Sequence, residues 1–112
     1  MIETTILNYL NAHIDTIRAY MQRPKKKPDR FILIEITGQS KTENIYHSTV
    51  AIQSYGTSLQ DAAMIDDLVD EVMDGITELD EISAIRLNSS YNYTDGSTGE
   101  YRYQSVFAIT HY

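Results

Sequence analysis

Apolar residues recur along this chain in two rhythms, and each switch between them marks an element. Over residues 3–21 the spacing is helical: Ile6, Leu7, Leu10, Ile14, Ile17 and Met21 form one stripe, while Asn8, Asn11, Asp15, Arg18 and Gln22 lie largely off it. Pro24 stops this helix, because proline lacks a donor and restricts the residue before it. Residues 22–30 then read as a loop that holds both prolines of the chain. "FILIEIT", 31–37, alternates as a strand. Ile32, Ile34 and Ile36 mark one face, and Phe31, Leu33 and Glu35 the other, a pattern suited to an inner strand. "GQSKTEN" is a polar turn or loop, and "IYHSTVAIQSY", 45–55, is a second strand, expected antiparallel to the first across so short a link.

At Gly56 the rhythm becomes helical again. Ser58 is a suitable N-cap with Asp61 three residues on, and Thr57 with Gln60 is an equally legal frame. The predicted helix, 58–76, buries Ala62, Ile65, Leu68, Val69, Val72, Met73 and Ile76. Asp67, Asp70, Glu71 and Asp74 fall at i, i+3, i+4 and i+7 and are expected to share the opposite face. Gly75 is expected to end the helix in the left-handed conformation. Two more strands follow, 82–93 and 100–111, joined by a hairpin turn with an Asp95-Gly96 signal. The predicted order is α-β-β-α-β-β. It implies one α+β domain over 1–112, with a mostly antiparallel four-stranded sheet and two helices packed on one face.

Composition narrows the function classes. No run of 18 apolar residues occurs, so no membrane span is expected, and the first residues lack the regions of a signal peptide. Without cysteine there is no disulfide, thiolate metal site or cysteine nucleophile, and the expected compartment is a reducing cytoplasm. The net charge of −7 is unevenly spread. Arg23, Lys25, Lys26, Lys27 and Arg30 place five of the nine basic residues in one segment, and nine of the sixteen acids lie between Asp61 and Glu81. So divided a chain can simply carry its basic residues on a solvated loop, as charge runs usually do, or touch DNA locally, or pair its basic loop with the acidic helix of a neighbouring copy.

Three stretches carry a likeness to a known family: "FILIEITG" and its polar linker; "STVAIQSYGTSLQDAAMIDDLVDEVM", a strand, a Gly/Ser turn and a helix opening on Ala-Ala; and "YNYTDGSTGEYRYQSVFAITHY", a polar hairpin leading to an Arg-Tyr pair and a strand. In order and texture nearly the whole chain resembles the small tail-terminator and head-tail joining proteins of long-tailed bacteriophages, also called minor capsid or tail completion proteins. No single residue carries the likeness. It implies a non-catalytic virion protein of the tail-head junction, assembled in the host bacterial cytoplasm. Copies would form a ring, commonly hexameric, that caps the tail tube, meets the head-side connector or neck protein and lets DNA pass. In one respect the chain departs from the pattern: the linker Gly38–Asn44 is short for a lumen-lining or tube-contacting arm.

A sheet covered on one side leaves a second face to explain. Here it mixes Tyr, Gln, Ser, Thr and Ala with few charges, which is closer to interface composition than to a wetted surface. Gln53, Tyr55, Arg102 and Gln104 are the candidate interface residues on that face. Tyrosine is also simply a good strand former. Asp67, Asp70, Glu71 and Asp74 are candidates for an inter-subunit acidic face, and Arg23, Lys25, Lys26, Lys27 and Arg30 for contact with a neighbour or with DNA. Catalytic, metal and cofactor residues are not expected. His13, His47 and His111 lie far apart, no nucleophile elbow or phosphate-binding glycine loop occurs, and the acidic row lacks the convergent loop oxygens of a calcium site. The alternative reading is a small soluble binding module that contacts nucleic acid or protein through residues 23–30.

Overall fold

The computed structural model describes residues 1–112. The elements run α1 (Ile2–His13), β1 (Arg18–Tyr20), β2 (Phe31–Thr42), β3 (Ile45–Gly56), α2 (Leu59–Asp74), a 3₁₀ turn (Ile76–Glu78), β4 (Ile82–Asn92) and β5 (Tyr101–His111). The strands form one sheet in the order β1-β2-β3-β5-β4. β1 pairs with β2 in parallel and every other pairing is antiparallel. The class is α+β with two helices, as the sequence predicts. The sheet, however, is mixed and has five strands, one more than expected.

The extra strand comes from the predicted first helix, which stops at His13 instead of running to residue 21. Ile14 and Ile17 still enter the core, Ile14 from extended backbone and Ile17 from the bend that leads into β1, and Met21 is exposed. Helical and strand periods both accommodate Ile14 and Ile17, so the apolar stripe alone does not separate them. β-branched Ile14, Thr16 and Ile17 favour the extended form. Tertiary pairing completes the choice: Arg18, Ala19 and Tyr20 stand opposite Phe31, Ile32 and Leu33. The outer rim of β1 is closed by one side chain. Asn11 Oδ1 accepts from the Ala19 N–H at 2.8 Å, and Asn11 Nδ2 donates to the Ala19 carbonyl at 3.2 Å. An asparagine on α1 thus takes the place of a strand neighbour.

Both helices bury their stripes against the same sheet face. Ile2, Ile6 and Leu10 of α1 and Ile65, Val69 and Met73 of α2 meet Ile32, Ile34, Val50, Ile52, Phe107 and Ile109 in one cluster of 18 buried residues. Full burial of one such aliphatic side chain contributes about 1.5–3 kcal/mol. Helix α2 begins as expected, with the Ser58 Oγ accepting from the Asp61 N–H at 3.0 Å. It does not end as expected: Gly75 has φ −89°, and the chain tightens directly into the 3₁₀ turn.

The linker after residue 37 is also more ordered than predicted. β2 and β3 continue as a hairpin to Thr42 and Ile45, closed by Glu43 and Asn44 at φ 51° and 67°. Positive φ at both central residues is the mark of a two-residue turn matched to strand twist. A bulge between Ile36 and Gly38 sits partway along β2. The hairpin ends level with the start of β4, so it is no projecting arm.

At Gly56 the end of β3 lies close against the first turn of α2. A Cβ there would lie 2.4 Å from the Ala62 nitrogen and 2.9 Å from its Cα, both main-chain atoms that cannot swing aside. Gly56→Ala is therefore expected to push α2 off the sheet and cost about 2–3 kcal/mol. Urea unfolding should show a lowered midpoint at unchanged slope; an unaltered midpoint would mean that the junction yields freely.

Candidate functional site

Three surfaces carry the candidate residues: the helix-free face of the sheet, the loop after β1 and the exposed side of α2. On the first, the register sets Gln53 opposite Gln104 and Tyr55 opposite Arg102, so the four predicted residues do converge. They bond chiefly to one another. Arg23 Nη1 and Arg102 Nη1 donate to the Tyr55 hydroxyl at 3.0 and 3.1 Å, and that hydroxyl donates to Gln53 Oε1 at 3.0 Å. Gln53 Nε2 donates to Gln104 Oε1 at 2.9 Å, and Gln104 Nε2 to the Tyr91 hydroxyl. Tyr55 stacks flat on Phe31 at 4.2 Å, and the Arg102 guanidinium lies 4.5 Å from the Tyr93 ring.

This network buries Tyr55, Gln53 and Gln104 to 3, 6 and 8% exposure without any helix above them. A second layer is thus built from long side chains lying flat. Around this network the accessible groups are Arg102, half-buried, and the exposed rings of Tyr91 and Tyr93, while farther along the same face Glu35, His47 and Arg86 are exposed. Phe31 in the stack and Tyr91 at the end of the chain of amides are members that strand alternation alone does not single out.

Among the basic residues, three are engaged within the chain. Arg23 and Lys27 both reach Glu100, at 2.8 and 3.1 Å, and Arg30 forms a two-pronged contact with Asp61. Burial works against ionised Glu100, but the hydrogen bonds from Lys27 and Arg23 outweigh it and hold the carboxyl below its ordinary range. Asp61 is likewise held low, first by the Thr57 N–H and then by Arg30. Lys25 and Lys26 have no acidic partner. An open depression of about 520 Å³ lies between this loop and the sheet, lined in part by Lys27, Phe31, Tyr55 and Glu100. Lys27 and Glu100 pair with each other there, and Asp29 adds a further carboxylate to the lining.

On α2 the predicted acidic face is split. Asp67, Glu71 and Asp74 are exposed, with no cation beside them. Asp70 is half-buried toward β4 and β5, beside Ile85, Leu87 and Phe107. Deeper still is a carboxylate that charge patterning misses. Asp66 is 1% exposed and accepts from the Ser105 hydroxyl at 2.7 Å and from the Ser90 hydroxyl. Its place was visible in the spacing: it lies four residues after Ala62 and three before Val69, within the apolar stripe. Burial raises the pKa of Asp66. Burial, with the charges of Asp66 and Asp67 adding to it, raises that of Asp70 to about 6.

Asp66, Asp67 and Asp70 each bring a carboxylate oxygen within 4.8 Å of the others. Both oxygens of Asp66 already accept from serines, so the trio offers few of the six to eight or so oxygens a hard cation takes. Of the histidines, His13 caps its own helix by contact with the Tyr9 carbonyl at 2.8 Å and stacks on the Tyr9 ring. His111 is buried, 2.8 Å from the Ser48 hydroxyl, and Gln39 Nε2 donates to that hydroxyl at 2.9 Å. Ser48 is itself 2% exposed. His47 is exposed on β3. No helix is long and apolar enough to cross a membrane. Neither a protein-family model nor a curated protein matches the chain.

A pH dependence follows from Asp70. Its carboxyl titrates near 6 in the fold against an ordinary value of 3.8, so between these the folded chain holds more protons than the unfolded one. Stability contributed by protonated Asp70 is complete below the unfolded value and is lost as pH rises through about 6. Asp70→Asn should therefore raise the melting temperature at pH 7.5 by about 4 °C and leave it nearly unchanged near pH 4. A variant equally shifted at both pH values would show that burial of this carboxylate carries no such cost.

Proposed function

We propose that this chain is a structural virion subunit, whose copies form a ring that terminates the tail tube of a long-tailed phage and joins it to the head-side connector. In this reading the protein sits at the tail-head junction, touches the tube protein on one annulus and the connector or neck protein on the other, and lets DNA through its hole. It assembles in the host bacterial cytoplasm and needs no cofactor. The likeness of order and texture supplies the phage context.

One observation carries the self-association: charge left unpaired on two separate surfaces of the same chain. Asp67, Glu71 and Asp74 stand exposed without a cation, while Lys25 and Lys26 stand exposed without an anion. Like charges at these helical spacings repel by about 0.2–0.5 kcal/mol per pair. A neighbour's Lys25 and Lys26 set against α2 would relieve that repulsion and fix which copy faces which. Contact with nucleic acid is the weaker reading, since Arg23, Lys27 and Arg30 are committed to Glu100 and Asp61 and only two lysines remain free.

Light scattering on purified protein should detect a discrete ring, alone at high concentration or once tail tubes are added. Lys25→Glu with Lys26→Glu should weaken assembly by about tenfold, and pairing it with Asp67→Lys and Glu71→Lys should recover most of that loss. A protein that stays monomeric at millimolar concentration, and beside tails as well, removes this function. A monomer that instead binds duplex DNA with steep salt dependence establishes the nucleic-acid reading.

A further inference from the structure

The two rims of the sheet are treated differently. A free strand edge presents a row of unpaired N–H and C=O groups, and proteins that stay monomeric shield such edges with charge, proline, brevity or cover. The β1 rim is shielded: three residues long, it has Ala19 bonded on both sides to Asn11. Above β1 the shield ends. β2 continues through residues 34–42 with β3 as its only strand partner. At the far side β4 runs eleven residues as the last strand of the sheet. Beyond Ile82, whose N–H reaches the Leu79 carbonyl, no main-chain group of β4 bonds anything but β5. It contains no proline and one charge, Arg86.

These two open rims match each other. Following the register across the sheet, Arg86 lies opposite Ala108, Ala108 opposite Thr49, and Thr49 opposite Gly38. Ile82 lies in the same way level with Lys41, through His111 and Tyr46. The uncovered part of β2 therefore spans the same height as β4. Both rims carry an irregularity at that height, between Ile36 and Gly38 on one and between Leu87 and Ser89 on the other, and β4 has a second between Ile82 and Ala84 near its start. β4 runs opposite to β2, so the two strands of successive copies meet antiparallel when the sheet is continued from one chain to the next.

Charge selects the same partner. Glu35 lies level with Ala51, two positions along from Thr49, and on the same helix-free face as Arg86. Residues offset by two on adjoining strands are diagonal neighbours, within reach of an arginine. Pairing β4 with its own counterpart about a twofold axis would place two Arg86 side chains on adjoining strands and leave the rim of β2 open. We propose that successive copies join edge to edge, β4 of one against residues 34–42 of β2 in the next, with Arg86 paired to Glu35. Such a contact is head-to-tail, and head-to-tail contacts close into rings when the rotation permits.

This contact rests on the ring reading, and one set of measurements separates the two. Full-length protein is compared with Glu35→Arg, Arg86→Glu and the double exchange, by light scattering over a concentration series and by amide hydrogen exchange. Each single reversal should raise the concentration for half-assembly about tenfold, and the double exchange should bring it back near the original value. Amides of residues 34–42 and 83–90 should gain protection as copies associate. Both side chains are exposed, so circular dichroism should find all variants folded. A ring that forms with both rims unprotected and indifferent to the exchange overturns edge pairing while the ring stands. Protection confined to β4 in a dimer overturns it in favour of self-pairing. A chain monomeric throughout overturns both.

Discussion

Strand β3 is hydrogen-bonded on both sides and buried on both faces from Val50 to Tyr55, yet helices cover only one of those faces. That mismatch governs the architecture. On the helix side, aliphatic residues answer it in the ordinary way. On the other side the molecule has no second layer of secondary structure, and leaving Gln53 or Gln104 shielded but unbonded would cost about 1–3 kcal/mol each. The solution is a sequence of donors and acceptors in which each amide and hydroxyl satisfies the next, from Arg23 through Tyr55 and Gln53 to Tyr91. Stacked rings and a guanidinium laid over Tyr93 supply the apolar cover.

The same logic explains why the basic loop is only half a loop of free charge. It must carry the chain from the end of β1 back to the start of β2, since the two strands are parallel. Arg23, Lys27 and Arg30 fasten that return path to Glu100 and Asp61. Lys25 and Lys26 take no part in the fastening. On α2, Asp66 and Asp70 face inward and only Asp67, Glu71 and Asp74 meet water as an acidic strip. Internal architecture thus removes part of each charged segment from any external role.

Much of this was legible along the chain. The strands around Ile34, Ile52 and Phe107, the cap at Ser58 and the convergence of Gln53, Tyr55, Arg102 and Gln104 on one face all follow from alternation and spacing. The strand at Arg18–Tyr20 did not, because Ile14 and Ile17 suit either period and the deciding contacts come from Asn11 and from β2. Nor did the burial of Gln53 and Gln104: strand periodicity assigns them to the helix-free face but says nothing of how long side chains fold over it. Asp66 was readable by position within the apolar stripe, and was obscured by its type, since an aspartate there needs serines from β4 and β5 to be tolerated.

The register of β3 with β5 bears on how the molecule comes into being. Gly56 meets Tyr101 and Tyr46 meets His111, so the second flank of the central strand is supplied by a segment far downstream. While the chain is being translated, the β2-β3 hairpin can form early, but its inner side waits, apolar and unpaired, until the downstream segment leaves the ribosome. Pairings this distant also close slowly. The interval before closure is the time at which nascent copies are most open to pairing wrongly with one another, and at which a chaperone would find most to hold.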